Sequence, residues 1–131
     1  MLNQQPKRKP YRNKKLLAAC HDPDLTCQVQ LPGCQGPGAP TMPAHSNCSD
    51  DGKGGSQKAD DLYVAISCQH CHDILDGRKG GYRRIGHIRT NAPYGVDTVT
   101  ERLSGSELQW YHDRAIKRSL RILLVDMGIK L

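Results

Sequence analysis

The chain has no phenylalanine and a single tryptophan, and hydrophobic residues fill only 37% of its 131 positions. At this length and with so few large side chains a deep core is excluded, leaving one small domain with extensions that needs support beyond apolar burial. Long apolar runs are absent too. No stretch approaches the roughly 20 residues of a membrane span. Only Leu16 and Leu17 separate Lys15 from Ala18-Ala19-Cys20, whereas an export signal needs roughly 7–15 apolar residues. The expected location is cytoplasmic, with no membrane partner. Acidic residues are the scarcer charge, 13 against 19 Lys and Arg, for a net charge of +6.

Glycine, proline and cysteine are what the chain does have: 13, 8 and 6 residues respectively. The first two predict a loop-rich body with short elements. Four of the cysteines form two pairs, Cys27-x6-Cys34 and Cys68-x2-Cys71. In a reducing compartment paired cysteines hold metal more often than they form disulfides. Four thiolates from two tight turns suit tetrahedral Zn²⁺, which also supplies the missing staple. Disulfides, or replacement of one ligand by Cys48 or a histidine, are the alternatives. Cys20 and Cys48 are then surplus free thiols. His21, His87 and His112 lack a partner pattern and read as surface or capping residues, while His70, inside the x2 pair, is expected to point outward.

The positive charge is clustered. Lys7, Arg8, Lys9, Arg12, Lys14 and Lys15 form one block, and Arg78, Lys79, Arg83, Arg84 and Arg89 another. Such clusters suit a polyanion, above all phosphate, although a solvated tail explains the first block equally well. Residues 1–11 are expected to be a flexible basic arm. Asn13 is placed to cap a short helix over 14–20, 26–31 alternates like a strand before a Pro32-Gly33 turn, and 35–43 reads as loop. After a polar glycine loop at 51–58, residues 61–67 read as a strand entering Cys68. A helix over 69–76 places His72 and Asp76 on one face, with Gly77, Gly80 and Gly81 ending it. Apolar residues from Leu108 to Met127 recur at helical spacing behind Ser106, predicting a long helix to Asp126 closed by Gly128. It is read as a packing helix in preference to a DNA-reading one.

The order Cys27-Gln28-Val29, Ala44-His45, the glycine loop, Asp61-Leu62 and Cys68-Gln69-His70-Cys71-His72-Asp73-x-x-Asp76 resembles the cysteine-bearing branch of the HNH endonucleases, the His-Me finger or ββα-metal fold. Within it the chain is similar to small prophage-encoded nucleases of the YbcO type. The likeness covers about residues 12–80 and, more faintly, the C-terminal helix. It implies an α+β fold: a zinc-stapled ββα-metal, treble-clef-like core at 12–88, an N-terminal helix, and a C-terminal helical extension at 89–131 packed on that core.

Residue by residue, the resemblance implies His45 as general base, Asp61 in the family's middle asparagine position, and His72 with Asp76 as ligands of a catalytic divalent ion, Mg²⁺ or Mn²⁺ with other divalent ions admitted. Structural Zn²⁺ would sit on Cys27, Cys34, Cys68 and Cys71. Two positions depart from the pattern: Ala44 stands where the family often has a metal ligand, and Asp61 where asparagine is usual. The function so implied is hydrolysis of DNA phosphodiester bonds in phage or prophage DNA recombination or processing. DNA would be gripped through the N-terminal block and Arg83-Arg84, with recombination or replication proteins as further partners. The alternative is a non-catalytic zinc-binding DNA- or protein-interaction module. A redox role for Cys68-x2-Cys71 lacks the βαβ context it needs.

Overall fold

A computed structural model describes residues 9–54, 57–76, 87–89, 98–100 and 103–131. Lys7, Arg8, Gly77, Arg78, Lys79, Gly80, Gly81, Arg83 and Arg84, to which the sequence assigns roles, lie outside the described residues. The architecture is α+β: helices packed around a two-stranded antiparallel sheet, with a second antiparallel pair further along the chain.

Helix α1, Lys14–Ala19, starts where the Asn13 side chain accepts the Leu16 N–H at 3.1 Å, a cap worth about 1 kcal/mol. It buries Leu16. The end of α1 is tied to the sheet, because the Thr41 hydroxyl donates to the Cys20 carbonyl at 2.7 Å.

Strand β1, Thr41–His45, pairs antiparallel with β2, Val64–Cys68, in a register that sets Thr41 opposite Cys68 and His45 opposite Val64. The expected loop over 35–43 therefore ends early, and Pro43 lies within a strand. That position tolerates proline because its partner does not need the missing donor. Ile66, opposite Pro43, gives its N–H to Ser119 Oγ at 2.8 Å and receives the Gln28 N–H on its carbonyl at 2.8 Å.

Every residue of β2 is buried, as expected of a strand covered on both faces. Val64 and Ile66 pack with Leu16, Cys20 and Leu123. Ala65 joins the larger cluster, which holds Val29, Leu31, Ile74, Leu108, Ala115 and Ile116. The two clusters divide a small apolar inventory between the two faces of one strand.

The expected strand at 26–31 does not form. Its alternation is real, since Cys27, Val29 and Leu31 are all buried. The backbone breaks at Gln30, however, whose φ of +57° leaves the β region, and Gln28 to Ile66 is its one backbone bond to β2. A turn follows in which the Cys34 N–H reaches the Leu31 carbonyl at 2.9 Å.

Helix α2, Gln69–Leu75, follows β2 without a loop and buries Cys71, Ile74 and Leu75. Strands β3, His87–Arg89, and β4, Thr98–Thr100, pair antiparallel. Helix α3, Gly105–Leu120, is capped by Ser104, two residues before the expected Ser106, because Ser104 and Glu107 form a reciprocal capping box. It runs into a wider turn, Arg121–Asp126, where the Met127 N–H bonds the Ile122 carbonyl at 2.8 Å. Gly128, at φ +68°, follows as expected. No described helix is long and apolar enough to cross a membrane.

Candidate metal centre and histidine cleft

The sulfurs of Cys27, Cys34, Cys68 and Cys71 all lie within 4.8 Å of one another. Cys27 and Cys34 come from the irregular segment before β1, Cys68 ends β2, and Cys71 belongs to the first turn of α2. Cys34 and Cys68 are 3.8 Å apart, far beyond the ~2.05 Å of a disulfide. That spacing matches the edge of a tetrahedron built on Zn–S bonds of ~2.3 Å, which is about 3.8 Å. The group is positioned to hold a metal ion, and all-thiolate ligation suits structural zinc.

Protonation of the four thiols is interdependent. Hydrogen bonds from the Cys27 and Cys71 thiols hold the Cys68 thiol far below its ordinary value, helped by the backbone N–H groups of Cys71 and Gln35. The same thiol contacts, with burial, push Cys71 far up, and burial pushes Cys34 up to about 11. Burial and mutual contact thus set deprotonation of Cys34 and Cys71 against that of Cys68. A dication removes that conflict, so binding releases protons.

The turn that carries Cys34 is braced from α2. His70, expected to point outward, instead folds back so that Nε2 lies 3.1 Å from the Pro32 carbonyl. Its ring fills the space beside Gly33, where an added Cβ would meet Nε2 at 2.7 Å. Gly33 also has φ +84°, so two independent constraints favour glycine there.

His45 ends β1 with its side chain 17% exposed, and its Nε2 lies 2.9 Å from Asp61 Oδ1. Asp61 is buried, and its other oxygen accepts the Asn13 N–H at 2.7 Å. A carboxylate only accepts, so in the neutral ring Nε2 carries the proton and Nδ1 keeps its lone pair. Asp61 thus orients His45 while fastening the segment that precedes α1. Arg12, expected to grip a nucleic-acid backbone, stays exposed while its guanidinium donates to the Ala59 carbonyl at 2.7 Å, the Lys58 carbonyl at 3.1 Å and Asp61 Oδ1 at 3.4 Å. Lys9, Lys14 and Lys15 are exposed.

On α2, His72 Nδ1 lies 3.3 Å from Asp76 Oδ2. The expected i, i+4 relation is realised, yet Nδ1 is buried and its geometry makes no hydrogen bond. His72 and Asp76 line the same cleft as His45, a space of about 570 Å³. Asn47 closes the cleft's frame by donating to the Leu75 carbonyl at 3.0 Å, which joins the exit of β1 to the end of α2.

Two cleft residues went unremarked in the sequence. Lys53 and Lys58 line it from the glycine loop, and only their position within a loop of small residues hinted at a role. His112, read as a surface or capping residue, is buried on α3 with Nε2 3.1 Å from the Ala44 carbonyl. Burial holds its pKa below the ordinary value, so the neutral ring donates and pins the backbone next to His45. Cys20, buried without a metal partner, has its thiol pushed up to about 12 by burial. Cys48 is partly exposed. Comparison of the chain with protein-family models, curated proteins and solved structures finds no match.

Proposed function

We propose that the chain is a metal-dependent endonuclease of the HNH, ββα-metal kind that hydrolyses DNA phosphodiester bonds. The observation that carries this reading is the meeting of His45, oriented through Asp61, with His72 and Asp76 in one cleft that also presents Lys53 and Lys58. Two antiparallel strands followed at once by a helix, with a thiolate cluster at their junction, support the same fold assignment.

His72 and Asp76 fit a divalent cation. An imidazole nitrogen that is buried, free of hydrogen bonds and close to a carboxylate oxygen is a donor pair arranged for a cation. Two protein donors are the usual complement for Mg²⁺ or Mn²⁺, which keep several waters and substrate oxygens. When bound, the cation neutralises charge on the phosphate and on the leaving 3′ oxygen. The chain's own residues do the rest. His45 Nδ1 takes a proton from water, Asp61 holds the ring in the tautomer that makes this possible, and Lys53 and Lys58 attract the phosphate by charge.

A non-catalytic zinc module is the second reading. It is favoured by the bonds that Asn13 and Arg12 make to Asp61, since a clamp alone would account for them. Supercoiled plasmid incubated with Mg²⁺ or Mn²⁺ and either the parent or His45→Ala separates the two. The nuclease reading expects nicking by the parent and a loss of at least ~100-fold in the variant, the scale of a general base. Equal nicking by both, or none by either, supports the module.

A further inference from the structure

The outer face of α3 carries a stripe that the cleft does not use. Trp110 is 57% exposed, and Arg114, Lys117, Arg118 and Arg121 follow it at i+4, i+7, i+8 and i+11. On an α-helix these positions fall within about 100° of one another and run about 16 Å along the axis. Between Arg114 and Val125 the sequence has no acidic residue. Lys117, Arg118 and Arg121 are exposed, and none of the four cations is paired with a carboxylate among the described residues. Asp113 is turned to the neighbouring face, where it accepts from Gln109 at 2.7 Å.

The indole is supported from below. The Arg114 guanidinium carbon lies 4.7 Å from the Trp110 ring centroid and 5.2 Å from that of Tyr111, and the two rings meet edge to face. Arg114 in turn reaches the Val29 carbonyl at 3.4 Å, which fixes the stack to the segment between Cys27 and Cys34. Arg118 bonds the Gln30 side chain at 3.1 Å. A large aromatic held in place by Arg114 and Tyr111 yet left 57% exposed is a platform with open ring surface.

We propose that this stripe binds single-stranded nucleic acid, with an unpaired base stacked on Trp110 and the strand's phosphates running along Lys117, Arg118 and Arg121. Charge complementarity selects a polyanion. The exposed indole selects one with accessible base faces, because bases in a duplex are already stacked and present only edges and backbone. At ~3.4 Å of axis per nucleotide in a stacked strand, 16 Å of stripe accommodates roughly five phosphates. This surface requires no hydrolysis, so it stands apart from the cleft's proposed activity.

The single tryptophan makes the test direct, since all indole emission comes from Trp110. The zinc-loaded chain is titrated with a 15-nucleotide oligothymidylate and with a blunt duplex of equal length, without added Mg²⁺ or Mn²⁺. The single strand is expected to quench the emission and to bind tighter than the duplex. Arg118→Ala/Arg121→Ala, which keeps the reporter, should lower affinity at least about ten-fold and reduce the slope of log K against log salt by about 1.4, at ~0.7 per lost contact. Trp110→Leu, followed by anisotropy of a labelled strand, should cost about ten-fold. Quenching that is equal for both DNAs, binding without quenching, no binding, or affinity unchanged in both variants would each overturn the proposal.

Discussion

Replacing Asp61 by asparagine tests how the cleft is built. Asp61 Oδ1 faces His45 Nε2 at 2.9 Å and Oδ2 faces the Asn13 N–H at 2.7 Å, both donors. An amide has one acceptor to offer them. If its NH₂ faces Asn13, two donors oppose each other in a buried site, at a cost of about 1–3 kcal/mol. If it faces His45, the imidazole avoids that opposition by moving its proton to Nδ1. The second orientation is the cheaper one, because Arg12, which would lose its 3.4 Å bond to Oδ1, is exposed and keeps the Ala59 and Lys58 carbonyls. Stability then falls only by the weakening of charge-assisted bonds, about 1–2 kcal/mol, or roughly 4–8 °C in Tm. Nicking should fall on the order of 10²–10⁴-fold, because Nδ1 no longer has a lone pair to take a proton. Plasmid nicking rates, thermal unfolding and the tautomer of His45 from long-range ¹H–¹⁵N correlation spectra measure the three effects. A variant with unchanged rate and with Nε2 still protonated would refute the reasoning.

The other expected outcomes concern buried groups. His112 is held neutral in the fold, so below its ordinary value of 6.5 the unfolded chain binds a proton that the native state refuses. Stability from this group is flat above pH 6.5 and falls as pH drops below it. His112→Gln keeps a donor but does not titrate, so its urea midpoint should fall less than the parent's between pH 7.5 and pH 5; parallel curves would remove His112 from the account. With zinc bound, iodoacetamide at pH 7.5 should add one group, on Cys48, since Cys20 is buried with its thiol near 12 and four thiols are held by metal. All six cysteines should react after chelation and unfolding. Several adducts on the zinc-loaded protein, counted by intact mass, would contradict the four-thiolate centre.

Local signals were legible in the chain where local chemistry decides. Asn13 announced α1, Cys spacing announced the thiolate group, and the i, i+4 interval of His72 and Asp76 announced their proximity. Strand β1 was hidden because Pro43 argues against a strand wherever its partner needs a donor, and only the bonds that Ile66 accepts from Gln28 and donates to Ser119 show that it does not. Gln30 misled in the opposite sense: its neighbours alternate as a strand would, while its own backbone turns left-handed. The burial of His112 and the hydrogen bonds of Arg12 depend on contacts with Ala44, Ala59 and Asp61, each distant in sequence. No periodicity encodes such pairings.

The bonds around Ile66 also bear on how the protein behaves among its own copies. A sheet of two strands has two open sides, each a template on which a foreign strand can grow. Here one side is occupied at its midpoint by the Ser119 hydroxyl and the Gln28 amide, and the other carries Pro43, which has no hydrogen to offer. The proline that concealed β1 from sequence reading and the serine that seats α3 therefore act together as a guard against strand addition, which keeps so thin a sheet from recruiting another chain.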